Sequence, residues 1–407
     1  MSKIKITNFG PIKQGYLDNN GWLDIKKVTV FIGNQGSGKS TIAKVVSTLT
    51  WLEKAINRGD IDKTKISHAE FYKFFKYQRI HNYFKDNTEI EYIGDKISLK
   101  YRKNLNFPTI EIISNTQFDV PKIMYVPFER NFLSTVKNAY GLKNLPDTLY
   151  TFAEELRKGQ QMLSNNLLQL PIGDLEFKYD SEKDISYIVG KDYELDIVES
   201  SSGYQSFIPL FLVTKFLTDE LQKGENILRE QLNVEQSVRR NKEIADIMFD
   251  KSLNEDSKTK KIREIDAKYF NTCFINIVEE PEQNLFPSTQ QKMIYSLLAF
   301  NNKIKPNKLI ITTHSPYLIN YLTLSIKAGI LKDKLNDIQK DKLNKIVPLE
   351  SCVLPDDIAI YELNEIDGSL TGLGNYQGIP SDKNYLNNQL GLSNKLYDLL
   401  LDIEEEL

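Results

Sequence analysis

Residues 28–32 (VTVFI), 273–278 (CFINIV) and 308–313 (KLIITT) are apolar runs without alternation. Short unbroken runs of this kind predict strands covered on both faces, as in a parallel sheet. Helical spacing of apolar positions follows the first run over residues 40–57, where Gly59 stops it, and separates the other two over residues 288–300. Strands alternating with helices predict an α/β fold. Residues 3–9 (KIKITNF) alternate instead, the pattern of an edge strand with one wet face, and Gly10-Pro11 ends it. Residues 89–115 read as strands around a Gly94-Asp95 turn. IMYVPFER (123–130) reads as another strand, followed by helical segments to about residue 168. A hairpin or meander is expected over 176–199, a helix over 203–221, and charge-laced helix over 222–268. After residue 328 the chain turns polar, with a hairpin expected at 357–371 and an acidic last helix at 393–406.

Directly after the first apolar run, residues 33–41 read GNQGSGKST. This is the phosphate-loop pattern G-x-x-x-x-G-K-[ST], with the strand before it and the helix after it that the motif requires. Gly33, Gly36 and Gly38, with Asn34, Gln35 and Ser37 between them, let backbone N–H groups turn inward on phosphate oxygens. Lys39 reaches the β- and γ-phosphates, and the Ser40 hydroxyl holds Mg²⁺. The helix begun by Thr41 adds its positive dipole end. A nucleoside triphosphate with Mg²⁺ is therefore the expected ligand.

Composition narrows the setting. A chain of 407 residues with a net charge of −3 has ample core and no broadly basic surface, which leaves only a local patch for nucleic acid. The two cysteines, Cys273 and Cys352, form no disulfide framework or zinc spacing. MSKIKITNFG has no apolar signal core and no stretch approaches a membrane span, so a cytoplasmic protein is expected.

Four further motifs carry chemistry. In VEEPE (278–282), a carboxylate at the end of a buried strand suits Mg²⁺, which gives Glu279 the metal role. Glu280 then fits the residue that orients or deprotonates the attacking water. His314, in TTHSP, ends the last buried strand, where a neutral imidazole would bond the γ-phosphate or the water. SSGYQ (201–205) precedes a helix, and its Ser202 and Gly203 form either a second anion site or an ordinary helix cap. YVPFER (125–130) ends a strand with Glu129 and Arg130, either a phosphate sensor or a structural ion pair.

The order of phosphate loop, SSGYQ, IVEEPE and TTHSP resembles ABC-type ATPases of the SMC/RecF/OLD branch, which serve bacterial DNA repair and anti-phage defence. KIKITNFGPIK also resembles the opening strand of that group. The resemblance covers about residues 1–55, 120–135, 190–216 and 272–327. It implies a P-loop head with a mostly parallel sheet and an N-terminal antiparallel β element. It places Lys39 and Ser40 in the phosphate and metal roles, and Ser202 and Gly203 in the signature motif. Glu279 becomes the Walker B carboxylate, Glu280 the catalytic glutamate and His314 the switch histidine. Three departures stand out: Glu279 where Asp is usual, Tyr204 where the signature has a second glycine, and no Q-loop glutamine, which Gln117 fits poorly.

The resemblance also implies a mechanism. ATP is sandwiched between the phosphate loop of one subunit and the signature of another, so binding closes a homodimer or larger homo-oligomer and hydrolysis opens it. Within a single 1–407 ATPase domain, residues 58–88 are expected as a helical insertion, 217–272 as a charged helical insertion and 328–407 as a C-terminal extension. The first insertion mixes Phe71, Tyr72, Phe74 and Phe75 with Lys73, Lys76 and Arg79, and reads as a small helical core with a wet face. The second carries RRNK (239–242) and KTKKIR (258–263), read as solvated helix faces or as a dock for a partner or nucleic acid. The function expected is a nucleotide-driven switch controlling an effector encoded nearby, a nuclease or toxin. The rival reading is a repair ATPase that binds DNA itself. The tail has no clustered carboxylates for nuclease chemistry of its own.

Overall fold

A computed structural model describes residues 2–105, 107–114, 118–136, 141–163, 166–223 and 232–405. Gln117 lies outside them. Five parallel strands form the centre, in the spatial order Ile358–Leu363, Val28–Gly33, Lys308–Thr313, Cys273–Glu279, Pro121–Val126. Ser369–Gly372 extends this sheet antiparallel to Ile358–Leu363, and Gly15–Tyr16 pairs beyond it. Each apolar run is buried on both faces because different layers cover the two sides. Val28, Val30, Ile32, Phe274 and Val278 pack with helices Ser202–Lys223, Pro287–Asn302 and Pro316–Lys332. Phe31, Ile275, Ile277 and Ile310 pack with helix Lys39–Arg58 and a second sheet.

That second sheet is antiparallel, in the order Leu23–Ile25, Ser2–Phe9, Phe84–Ile93, Ile97–Arg102, Thr109–Ile112. The strand read as an edge is therefore interior, paired on both sides. Its alternation reports the one face that packs on the Lys39–Arg58 helix, where Ile4 and Ile6 are buried. A buried carboxylate fixes the helix to this sheet. Glu53 accepts hydrogen bonds from the Tyr92 hydroxyl at 2.6 Å and from the backbone N–H groups of Lys96 and Ile97 at 2.6 and 3.2 Å. Burial pushes its pKa up, and these donors oppose the rise. The fit leaves no room at the Gly94 turn, where a Cβ would stand 2.3 Å from the Glu53 carboxylate oxygens. Gly94→Ala is expected to destabilise the protein by about 1–3 kcal/mol, the usual cost of overpacking. Urea unfolding measures this, and an unchanged midpoint would refute the tight fit.

The insertions sort differently. In the first, helix His68–Phe74 buries Phe71, and Phe75 follows it into the core. Phe71 stacks on Tyr101 with centroids 5.0 Å apart, so these aromatics build a core. The second insertion contains helices Val234–Phe249 and Glu255–Tyr269. Its arginines are already engaged: Arg239 pairs with Asp60 and Arg240 with Asp266, each at 2.7 Å. The tail is only partly an extension. Its Ile358–Leu363 strand lies beside the phosphate-loop strand, in register from Ile358↔Val28 to Leu363↔Gly33. The last helix starts earlier than its acidic stretch, at Tyr385, and runs to Glu405. No helix of the described residues is long and apolar enough to cross a membrane.

Candidate active site

The carboxyl ends of three neighbouring parallel strands bring the phosphate loop, Glu279-Glu280 and His314 to one edge of the sheet. The loop leaves its strand at Gly33 (φ 142°), where a Cβ would meet the Leu363 carbonyl oxygen at 2.5 Å. Gly38 caps the following helix with φ 104°, a backbone conformation that side chains resist. Asn34, Gln35 and Gly36 are exposed at the rim, Ser40 is half-buried, and Ser37, Lys39 and Thr41 are buried. Ser37 Oγ is buried without a hydrogen-bond partner. An orphaned hydroxyl inside a glycine cradle fits a loop shaped for an anion.

Lys39 Nζ donates to the carbonyls of Gly33 at 2.9 Å and Asn34 at 2.8 Å, and lies 3.3 Å from His314 Nδ1. An ammonium only donates, so Nδ1 accepts and the ring proton sits on Nε2. That Nε2 stands 3.0 Å from Glu280 Oε1. The three residues form a continuous chain from the ammonium through the imidazole to the carboxylate. Burial pushes the Lys39 pKa down to about 8, against the pull of Glu280, Glu282 and Glu365. The His314 hydrogen bond, opposed by burial, holds the Glu280 carboxyl below its ordinary value.

Glu279 is buried, and its Oε2 accepts the Phe128 N–H at 3.3 Å. Burial and the Glu279 charge raise the pKa of the neighbouring Tyr125 hydroxyl well above its ordinary value. Glu280 takes a left-handed backbone, φ 43°, and its N–H donates to the Thr312 carbonyl at 2.9 Å. Outside glycine that conformation costs about 1–2 kcal/mol. Ser40 and Glu279 offer hard oxygens, and Mg²⁺ commonly takes one or two protein oxygens beside phosphate oxygens. The donor set thus fits Mg²⁺ with a triphosphate.

Three further residues support the site through contacts that no motif signals plainly. Among the described residues Arg130 makes no ion pair with Glu129. It is wholly buried, and its guanidinium donates to the carbonyls of Glu279 at 2.7 Å and Glu280 at 2.6 Å. Glu282 Oε1 accepts from the Thr313 hydroxyl and the His314 N–H, both at 2.7 Å, which fixes the His314 turn. Glu365 accepts from Asn34 Nδ2 at 3.1 Å across the rim. A third glutamate in VEEPE was the available signal for Glu282. Nothing local in the sequence signals the other two contacts.

Ser202 and Gly203 stand apart. Ser202 is exposed and opens the Ser202–Lys223 helix. A Cβ on Gly203 would lie 3.1 Å from the Asn284 carbonyl. No hydrogen bond among the described residues joins either to the chain's own phosphate loop. Tyr204 packs against the core, and Gln205 donates to the carbonyls of Ile197 and Val198, so the helix start is firmly seated.

A mostly parallel sheet centred on a phosphate-loop strand, an antiparallel sheet against its first helix, and this motif order together decide the fold. The chain has the ABC-type ATPase fold. No family model matches the sequence, and no curated protein matches it. Among solved structures, the SMC head domain from Thermotoga maritima is 10% identical, with 92% of this chain and 98% of that one covered and a TM-score of 0.38. An SMC head with an extended coiled coil, bound to the C-terminal domain of ScpA derived from Pyrococcus furiosus, is 9% identical, with 99% and 100% covered and a TM-score of 0.38. A dimeric ATP-binding cassette in a post-hydrolysis state, bound to ADP and Pi, is 13% identical, with 92% and 100% covered and a TM-score of 0.28. Likenesses at these scores decide nothing by themselves, and the fold rests on the topology above.

Proposed function

We propose that this ABC-type ATPase head hydrolyses ATP and works as a nucleotide-driven dimerisation switch acting on a partner effector. The observation that carries the reading is the hydrogen-bonded chain Lys39–His314–Glu280 at the mouth of the phosphate loop. Lys39 is held by two loop carbonyls and an imidazole, all weaker acceptors than a phosphate. A γ-phosphate draws the ammonium away, which frees His314 Nδ1. Glu280 is ionised at neutral pH because His314 stabilises its charge, so it accepts a proton from water rather than donating one. Mg²⁺ held by Ser40 and Glu279 would neutralise phosphate charge during transfer.

Closure needs a second copy. Ser202 is an exposed hydroxyl at a helix start with no bond to its own loop, which suits it to the phosphates of another subunit. Arg239 and Arg240 are engaged within the chain, which takes those two arginines out of the basic surface that the second insertion could offer DNA. The resemblance of the motif order to the SMC/RecF/OLD branch supports a role in anti-phage defence, with a nuclease or toxin as the effector. Steady-state phosphate release from the purified chain, with and without DNA, tests the reading. Mg²⁺-dependent release unchanged by DNA is expected. Release that appears only with DNA would favour a repair ATPase.

A mixing experiment tests the sandwich. Ser202→Arg places a bulky cation in the interface and Lys39→Ala removes the phosphate contact, so each variant alone is expected to be inactive. A mixed dimer has both defects in one site and none in the other. Random pairing at equal amounts should then restore about a quarter of native activity. No recovery despite demonstrated mixed dimers would argue against a shared site.

A further inference from the structure

We infer that Arg130 is a positioning residue for Glu280: its guanidinium holds the Glu279 and Glu280 carbonyls and so sets where the Glu280 carboxylate stands beside the phosphate loop. The inference rests on the reading of Glu280 as the group that acts on water. Nη1 donates to Glu279 O at 2.7 Å and to Pro127 O at 3.3 Å, and Nη2 donates to Glu280 O at 2.6 Å. One rigid fork therefore holds the two peptide carbonyls on either side of the Glu280 Cα. The geometry at Glu280 needs such a hold. Its backbone is left-handed at φ 43°, a conformation that persists only when the surroundings over-determine it. The Glu280 N–H also donates to Thr312 O, so the residue is held both by the turn Phe128–Asn131 and by the strand Lys308–Thr313.

The clamp is costly where it stands. Arg130 is completely buried and its Nε has no partner. A cation buried with an unpaired donor lowers stability unless something else retains it. Glu279, Glu280 and Glu282 lie in the same turn, and their charge favours the guanidinium against its burial. A plain structural tie would need only neutral donors; a fixed planar fork suits a site where small displacements matter. Misplacing a reacting group by about 1 Å can cost about a hundredfold in rate.

Arg130→Lys keeps the charge and loses the fork. Its kcat for ATP hydrolysis is expected to fall at least about tenfold, with the affinity for a fluorescent ATP analogue within about twofold of native. The variant is then combined with Glu280→Gln. Because Arg130 acts through Glu280, the double variant should be no slower than Glu280→Gln alone by more than about twofold. A folded Arg130→Lys with native kcat would overturn the inference. So would a double variant that loses the full single effect again, since that makes Arg130 independent of Glu280. Native hydrolysis in Glu280→Gln alone would instead sink the functional reading beneath it. Should Arg130→Lys fail to fold, ¹⁵N-arginine NMR of the unaltered protein decides. Slowly rotating, separately resolved Nη protons on Arg130 are expected, and averaged signals would show that no clamp exists.

Discussion

Glu280→Gln is expected to bind ATP with near-native affinity and to hydrolyse it at least about a hundredfold more slowly, the order of effect for losing general-base help. The substitution keeps the size of the side chain and an oxygen that can still accept from His314 Nε2, 3.0 Å away in the native chain. It removes the negative charge that would accept a proton from water. Binding is spared because the phosphate loop and Lys39 follow a different strand, Val28–Gly33, with Lys39 opening the helix after the loop. Hydrolysis being the step that opens the dimer, the variant should collect in a closed, ATP-bound form. Phosphate release, nucleotide retention and sedimentation in the presence of Mg²⁺ and ATP measure the three outcomes. Glu279→Gln should differ by weakening the dependence on Mg²⁺. Normal hydrolysis in both variants would remove the chemical roles assigned to this turn.

Lys39→Ala is expected to lose ATP binding by about 3 kcal/mol, roughly a hundredfold in affinity, the upper range for a hydrogen bond to a charged group. Turnover should fall to background. A pH test isolates the charge. With no nucleotide, the ammonium titrates near pH 8 because burial disfavours its charged form. A bound triphosphate favours that form and raises the pKa, so binding above pH 8 takes up a proton. Affinity should be level below pH 8 and fall as the pH rises through it, by at most about tenfold per unit. Lys39→Arg keeps its charge throughout, and whatever binding it retains should show no break near pH 8. A native affinity that is flat from pH 7 to pH 9.5, roughly the window of this titration, would contradict the buried, depressed ammonium.

The elements that could be read from the sequence are those in which side-chain burial and chemistry coincide. VTVFI, CFINIV and KLIITT declare strands covered on both sides, and the phosphate loop declares itself through glycines at positions now seen with φ of 142°, 78° and 104°. What escaped depends on backbone acceptors and distant partners. Alternation in KIKITNF shows which face is buried, not how many strands flank it, so an interior strand looked like an edge. Arg130 follows a glutamate and reads as half of a surface pair, yet its partners are main-chain carbonyls about 150 residues onward. The Ile358–Leu363 hairpin strand was legible, but its place beside Val28–Gly33 is a long-range pairing that no local pattern encodes.

That pairing has a consequence for how the protein is made. The phosphate-loop strand leaves the ribosome well before both of its neighbours, Lys308–Thr313 and Ile358–Leu363. Glu365, which grips Asn34, follows even later. At synthesis rates of about 5–20 residues per second, the phosphate-loop strand waits on the order of tens of seconds before either side can pair. A nascent or prematurely ended chain therefore carries every residue of the loop without the wall that shapes it. Nucleotide binding is expected only of a chain synthesised past the Ile358–Leu363 strand.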